Sequence, residues 1–222
     1  MIKCNVTLNG IISRGAAIHT NNEGKKQLGF TVTVVLPGKT GNKPMEVSVR
    51  KDGTAAETAR FAIGTRIGIE GTLTFRKRND NLYLNLQADK VNFNPGNDKD
   101  SLEGTLEFRG TIGKQVEEKT DRKGCKYLTF SGFSTEKSGD DFAYTWVRFI
   151  RFSAEREPFL NAKAKIQAKG KLELSVFLER LGISCRVEEI CEWIKEPYSN
   201  PSGGSGSMDD ANYNKSSNSE HF

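Results

Sequence analysis

The chain has 222 residues, 33 Lys and Arg against 28 Asp and Glu, and a formal charge of +5. That length allows one or two domains. The start Met1-Ile2-Lys3-Cys4-Asn5-Val6 has no apolar signal core and no stretch is long enough for a membrane span, so a soluble cytoplasmic protein is expected. Cys4, Cys125, Cys185 and Cys191 form no CxxC pair and no ligand series with His19 and His221. Free thiols in a reducing cell are therefore expected, with no zinc, no disulfide scaffold and no cofactor.

A first strand is expected from residue 3. In the second, Leu28, Phe30, Val32 and Val34 alternate with Gly29, Thr31, Thr33 and Val35, the period-two pattern of a strand. The stretch Pro37-Gly38-Lys39-Thr40-Gly41-Asn42 has loop chemistry. Met45, Val47 and Val49 then alternate with Glu46, Ser48 and Arg50 in a third strand. A helix is expected over Ala55–Ala62, with Thr54 as its N-cap and Gly64 just past its end. Ile67, Ile69, Gly71, Leu73 and Phe75 mark strand four, and Leu82, Leu84, Leu86 and Ala88 mark strand five, joined by a polar hairpin at 76–81. Three strands, a helix and two more strands is the order of the five-stranded OB barrel.

The pattern then recurs. Gly10, Ile12, Thr20, Gly24, Lys26, Leu28, Phe30 and Val47 reappear one hundred positions later as Gly110, Ile112, Thr120, Gly124, Lys126, Leu128, Phe130 and Val147. After one deletion, Ile67, Gly71, Leu73 and Leu82 match Ile166, Gly170, Leu172 and Leu181. A fixed-period self-match means one unit built twice. The expected organisation is a first barrel at 1–93, a linker at 94–104, a second barrel at 105–194 with its own helix near Glu155–Asn161, and a disordered Gly/Ser/Asn-rich tail at 195–222. The fold class is all-β, two tandem OB barrels with one short helix each.

The copies differ in charge. Residues 1–93 carry 14 Lys and Arg against 7 Asp and Glu, residues 94–198 carry 18 of each, and residues 199–222 are net −2. A basic first copy suits a polyanion. OB barrels take ligands across strands two and three, between the first loop and the four–five loop. Lys25, Lys26, Arg50, Lys51, Arg76, Lys77 and Arg78 fall at those places, as expected of a phosphate-neutralising face. Hairpin tips are also basic simply to block edge pairing. For stacking, Tyr83 lies opposite in register to Leu82 and Leu84, and Trp146 and Arg148 lie off the core face of their strand. Phe75, Tyr127, Phe133 and Phe177 read equally as core or as ligand-facing; Phe30 and Phe61 read as core, and Trp193 as packing the barrel end.

The run Gly64-Thr65-Arg66-Ile67-Gly68-Ile69-Glu70-Gly71-Thr72-Leu73 resembles the strand-four signature of the bacterial single-stranded DNA-binding proteins. Tyr144-Thr145-Trp146-Val147-Arg148 is similar to that family's Thr-Glu-Trp-x-Arg segment, whose tryptophan stacks on a base. Lys165–Leu172 resembles strand four again, and Asn9-Gly10-Ile11-Ile12 with Gly24 and Leu28–Val34 resembles the first two strands. Two copies in one chain resemble the Deinococcus–Thermus version, which implies a homodimer. Copy one departs from the pattern at Glu46, where the tryptophan would fall, and at Arg78 and Asn79, where an aromatic is common. Cations and stacking are thus expected to be divided between the copies. The chain's last residue, Phe222, resembles the family's terminal Phe that docks on replication and repair proteins, but Asp209 and Asp210 do not adjoin it. A cellular origin and a phage or mobile-element origin both stay open, the tail leaning slightly to the latter.

Sequence-independent binding of single-stranded DNA in replication, recombination or repair is the expected function, with the preference between DNA and RNA left open. The alternative is an OB-fold protein-interaction module of a primosome or virion. An enzyme is not expected, because His19 stands alone and the carboxylates of copy one are scattered.

Overall fold

The computed structural model describes residues 1–21, 23–36, 38, 41–78, 81–96, 98–138, 141–153, 155–177 and 180–194. The expected tail, much of the 37–42 loop, and Asn79 and Asp80 lie outside the described residues. The elements are β1 (Ile2–Thr20), β2 (Lys26–Leu36), β3 (Lys43–Asp52), a 3-10 helix (Ala55–Arg60), β4 (Arg66–Arg78), β5 (Asn81–Asn92), β6 (Ser101–Thr120), β7 (Lys126–Ser138), β8 (Asp141–Arg151), β9 (Lys165–Phe177) and β10 (Arg180–Glu192). β1 pairs antiparallel with β2 and β4, β2 with β3 and β4 with β5, and a parallel β3–β5 contact closes the ring. β6–β10 repeat that scheme, with β8–β10 as the parallel contact. These are two five-stranded OB barrels. β6 begins at Ser101, inside the segment expected as linker.

Period-two alternation fills each barrel. Leu28, Phe30, Val32, Val34, Val47 and Val49 point inward in the first, and Leu128, Phe130, Val147 and Phe149 in the second. The link between β3 and β4 plugs the first barrel with buried Phe61, whose ring lies 4.7 Å from that of Phe30 and 5.1 Å from that of Phe93. Its short helix is 3-10 rather than α, and opens with the Thr54 N–H donating to Glu57 Oε2 at 2.8 Å.

The second expected helix is not formed. Among the described residues of 155–161 there are only bends and turns. Pro158 accounts for this, because it disfavours a helical conformation at Glu157 and offers no N–H. The plug survives without the helix. Leu160 is buried where Phe61 lies in copy one, and Arg156 holds the turn by donating to the Leu160 carbonyl at 2.8 Å and to Asn161 Oδ1 at 2.8 Å.

β1 stays paired with β2 as far as Thr20↔Lys26, so a tight tip joins the two strands. There the Asn21 side-chain oxygen accepts the N–H groups of Glu23 and Lys25 at 3.0 and 2.8 Å, and Gly24 takes φ 79°. Asp121 repeats the device, its side-chain oxygen accepting the N–H groups of Lys123 and Cys125 at 2.8 Å each, and Gly124 takes φ 84°. Tips that need an Asx acceptor and a left-handed residue explain why this part of the repeat is so well kept.

The barrels are joined edge to edge. β1 pairs antiparallel with β6 from Ile2↔Phe108 to Asn9↔Ser101. Asn5 meets Thr105, its own counterpart one hundred residues on, so a local two-fold axis passes between them. Gly104 allows the close approach: a Cβ there would sit 2.1 Å from the Asn5 carbonyl oxygen. Asp100 adds a polar tie, accepting the Val35 N–H at 3.0 Å and pairing with Arg66 Nη1 at 3.0 Å.

Cys4 and Cys185 are buried, and Cys125 and Cys191 are exposed. Burial pushes the Cys4 and Cys185 thiols from an ordinary 9.0 up to about 12. In the unfolded chain both thiols ionise near 9, so this contribution to stability is intact below pH 9 and is lost as pH rises from about 9 to 12. A thiol reagent at pH 8 should modify two cysteines in the native protein and four after denaturation. Four reactive thiols without denaturant would contradict the burial.

Candidate nucleic-acid interface

The outer face of β8 is built by parity. Thr145, Val147 and Phe149 fill the barrel, so Tyr144, Trp146 and Arg148 face outward; Trp146 is 52% exposed. Trp146 pairs across the sheet with Phe133 of β7, ring centroids 5.0 Å apart, and Phe133 in turn meets the Tyr144 ring edge-on at 5.6 Å. Gly113 leaves the indole its room, since a Cβ there would lie 3.2 Å from Trp146 Cζ3. Aromatic neighbours hold the ring upright while leaving a large part of it open to a ligand. Beyond the other end of β8, exposed Phe152 packs on Tyr127 at 5.7 Å, with the Arg186 guanidinium 5.4 Å from its centroid.

In barrel 1 the outer faces of β3, β5 and β4 form rows: Arg50 beside Gln87 beside Thr72, then Ser48 beside Asn85 beside Thr74. Tyr83, 49% exposed, pairs with Arg76 in the next row. These side chains, with Arg78, line a groove of about 630 Å³. Arg50, Arg76 and Arg78 have no ion pair among the described residues.

The seven expected cations do not form one face. Arg50, Arg76 and Arg78 converge. Lys77, between two outward arginines on β4, turns to the other side and faces barrel 2. Lys25, Lys26 and Lys51 gather just past Arg50 at the end of β3 and do not line the arginine groove. Two of these three are already occupied. Lys25 pairs with Asp52, and Lys51 Nζ lies 3.8 Å from Glu57 Oε1. Hydrogen bonds from Lys25 and then Gln27 hold the Asp52 carboxyl below its ordinary range. Phe75 is buried, Phe133 supports Trp146, and Trp193 is half-buried with its backbone N–H donating to the Lys165 carbonyl at 2.9 Å. Phe222 lies outside the described residues.

Cations and aromatics, expected apart, meet between the barrels. A second cleft of about 630 Å³ is lined by Lys77 and Tyr83 of barrel 1 and by Tyr144, Trp146 and Arg180 of barrel 2. Tyr83 also lines the arginine groove. Trp146 also lines a third groove, of about 480 Å³, along barrel 2 with Lys114, Lys119, Ser131 and Arg148. Three grooves are thus joined at two exposed rings. Tyr144, Phe152, Lys114, Lys119 and Arg180 are additional to the residues expected from sequence. Tyr144 and Phe152 share the parity of Trp146, which was the available signal.

This is a tandem OB-fold chain with an aromatic and cationic track across both barrels. No protein-family model matches it, and no curated protein matches it in sequence. Among solved structures it is similar to the wild-type single-stranded DNA binding protein from Thermus aquaticus, at 15% identity and TM-score 0.46, over 90% of this chain and 96% of that one. The small single-stranded DNA-binding protein from Streptomyces coelicolor is similar at 14% identity and TM-score 0.34, over 44% of this chain and 95% of that one. The N-terminal domain of PriB from Thermoanaerobacter tencongensis is similar at 22% identity and TM-score 0.27, over 40% and 93%. These are likenesses of fold.

Proposed function

We propose that the chain binds single-stranded DNA along this track, with broad sequence tolerance, and keeps it unpaired during replication, recombination or repair. The observation that carries the reading is the continuity of the three grooves through Tyr83 and Trp146. Exposed rings offer stacking to any base, and arginines with no ion pair among the described residues offer counterions to the backbone. Bases inside a duplex are stacked on one another and cannot reach such rings, so the track favours single strands.

Titration of a labelled oligo-dT, read by Trp146 fluorescence and repeated over a salt series, tests this. The fluorescence should be quenched on binding, affinity should fall as salt rises, and a duplex of equal length should compete weakly. Equal competition by duplex, or binding without any change at Trp146, would overturn the proposal.

A further inference from the structure

One charge in the inter-barrel cleft is foreign to a track for a polyanion. Glu46 lines that cleft with Tyr83, Tyr144 and Trp146, and it occupies on β3 the position that Trp146 occupies on β8. Its inward neighbours Val47 and Val49 are buried, so alternation holds the carboxylate on the outer face. β3 and β5 pair in parallel through Val47↔Leu84 and Ser48↔Asn85. Carried one step further, that register sets Glu46 beside Tyr83, whose other flank is Arg76. Lys77 and Arg180 line the same cleft, yet among the described residues neither forms an ion pair with Glu46.

An ionised carboxylate only accepts hydrogen bonds. Toward a phosphate it is repulsive. Toward a base stacked on the adjacent ring it is attractive if that base presents an amine, as cytosine does with N4, and unattractive if it presents O4, as thymine does. Lys77 and Arg180 remain available for the flanking phosphates.

Building on single-strand binding, we propose that Glu46 is a base-selecting residue. It accepts a hydrogen bond from the exocyclic amine of a base stacked on Tyr83, so the track prefers cytosine to thymine at that place. The copy without the tryptophan has exchanged a second stacking ring for a reader of base edges.

The test uses the full chain and three labelled 20-mers, oligo-dC, oligo-dU and oligo-dT, at one low salt concentration; dU separates the amine from the thymine methyl. The wild type should bind dC about fivefold tighter than dU and dT, the worth of one charge-assisted hydrogen bond partly exposed to water. Glu46→Ala, a surface change, should bring the three within about twofold of one another. Equal binding of dC, dU and dT by the wild type would overturn the proposal. So would a gain of the same factor for all three in Glu46→Ala, which would make Glu46 only a repulsive charge. In both results single-strand binding itself stands. Failure of all three strands to bind would overturn that reading, and this one with it.

Discussion

Replacing Trp146 with alanine is expected to weaken single-strand binding about 5- to 150-fold, since a base stacked on an aromatic side chain is worth ~1–3 kcal/mol. Two features put Trp146 at the upper part of that range. Its ring is already held by Phe133, so little side-chain freedom remains to be lost on binding. It also borders two of the three grooves, so its loss breaks the track rather than shortening it. The chain has two tryptophans, and Trp193 is half-buried and lines none of the three grooves. Trp146→Ala should therefore also abolish the fluorescence change, and Trp146→Phe should restore part of the affinity. Unaltered affinity in Trp146→Ala would remove stacking in the cleft from the account.

The second large effect concerns charge. Neutralising Arg50, Arg76 and Arg78 together should lower the slope of log affinity against log salt by about 2, at ~0.7 per phosphate on a single strand. The same treatment of Lys25, Lys26 and Lys51 should change the slope by less than half as much. Lys25 and Lys51 already have carboxylate partners in Asp52 and Glu57, and none of the three lines any of the three grooves. Measuring both triple variants across a salt series separates position from count. Equal slopes for the two would mean that net charge alone, not the groove, attracts the strand.

The contrast between these triads shows what could be learned from sequence. Period-two alternation is local, so the strands, the inward faces of β2 and β8, and the outward Trp146 and Tyr83 were all legible. The repeat is also legible without structure, and one of its kept glycine pairs, Gly24 and Gly124, proves to be turn residues at the hairpin tips. Pairing of Lys25 with Asp52 was not legible, because the partners are far apart along the chain and meet only through the β2–β3 register. Nor was the meeting of Tyr83 with Trp146, which depends on how β1 lies against β6. Alternation in β1 says which residues point inward and nothing about what pairs with its free edge. The missing second helix was legible in Pro158, but the repeat argued more strongly for it than one proline argued against. Tyr144 and Phe152 share the parity of Trp146 and are legible by the same rule.

The pairing of Asn5 with Thr105 has a consequence for the orientation of whatever lies in the track. Two identical subunits meeting on a true dyad would present the same groove from either end, Trp facing Trp or Glu facing Glu. Here both halves belong to one polypeptide, so each was free to change alone, and the dyad relates unlike chemistry: Glu46 on one side, Trp146 on the other. A nucleic acid strand has a 5′ and a 3′ end. Read from the arginine groove toward Arg148, the track differs from itself read backwards, and its two ends are not interchangeable to a polar chain. The duplication turns a palindromic surface into one with a direction.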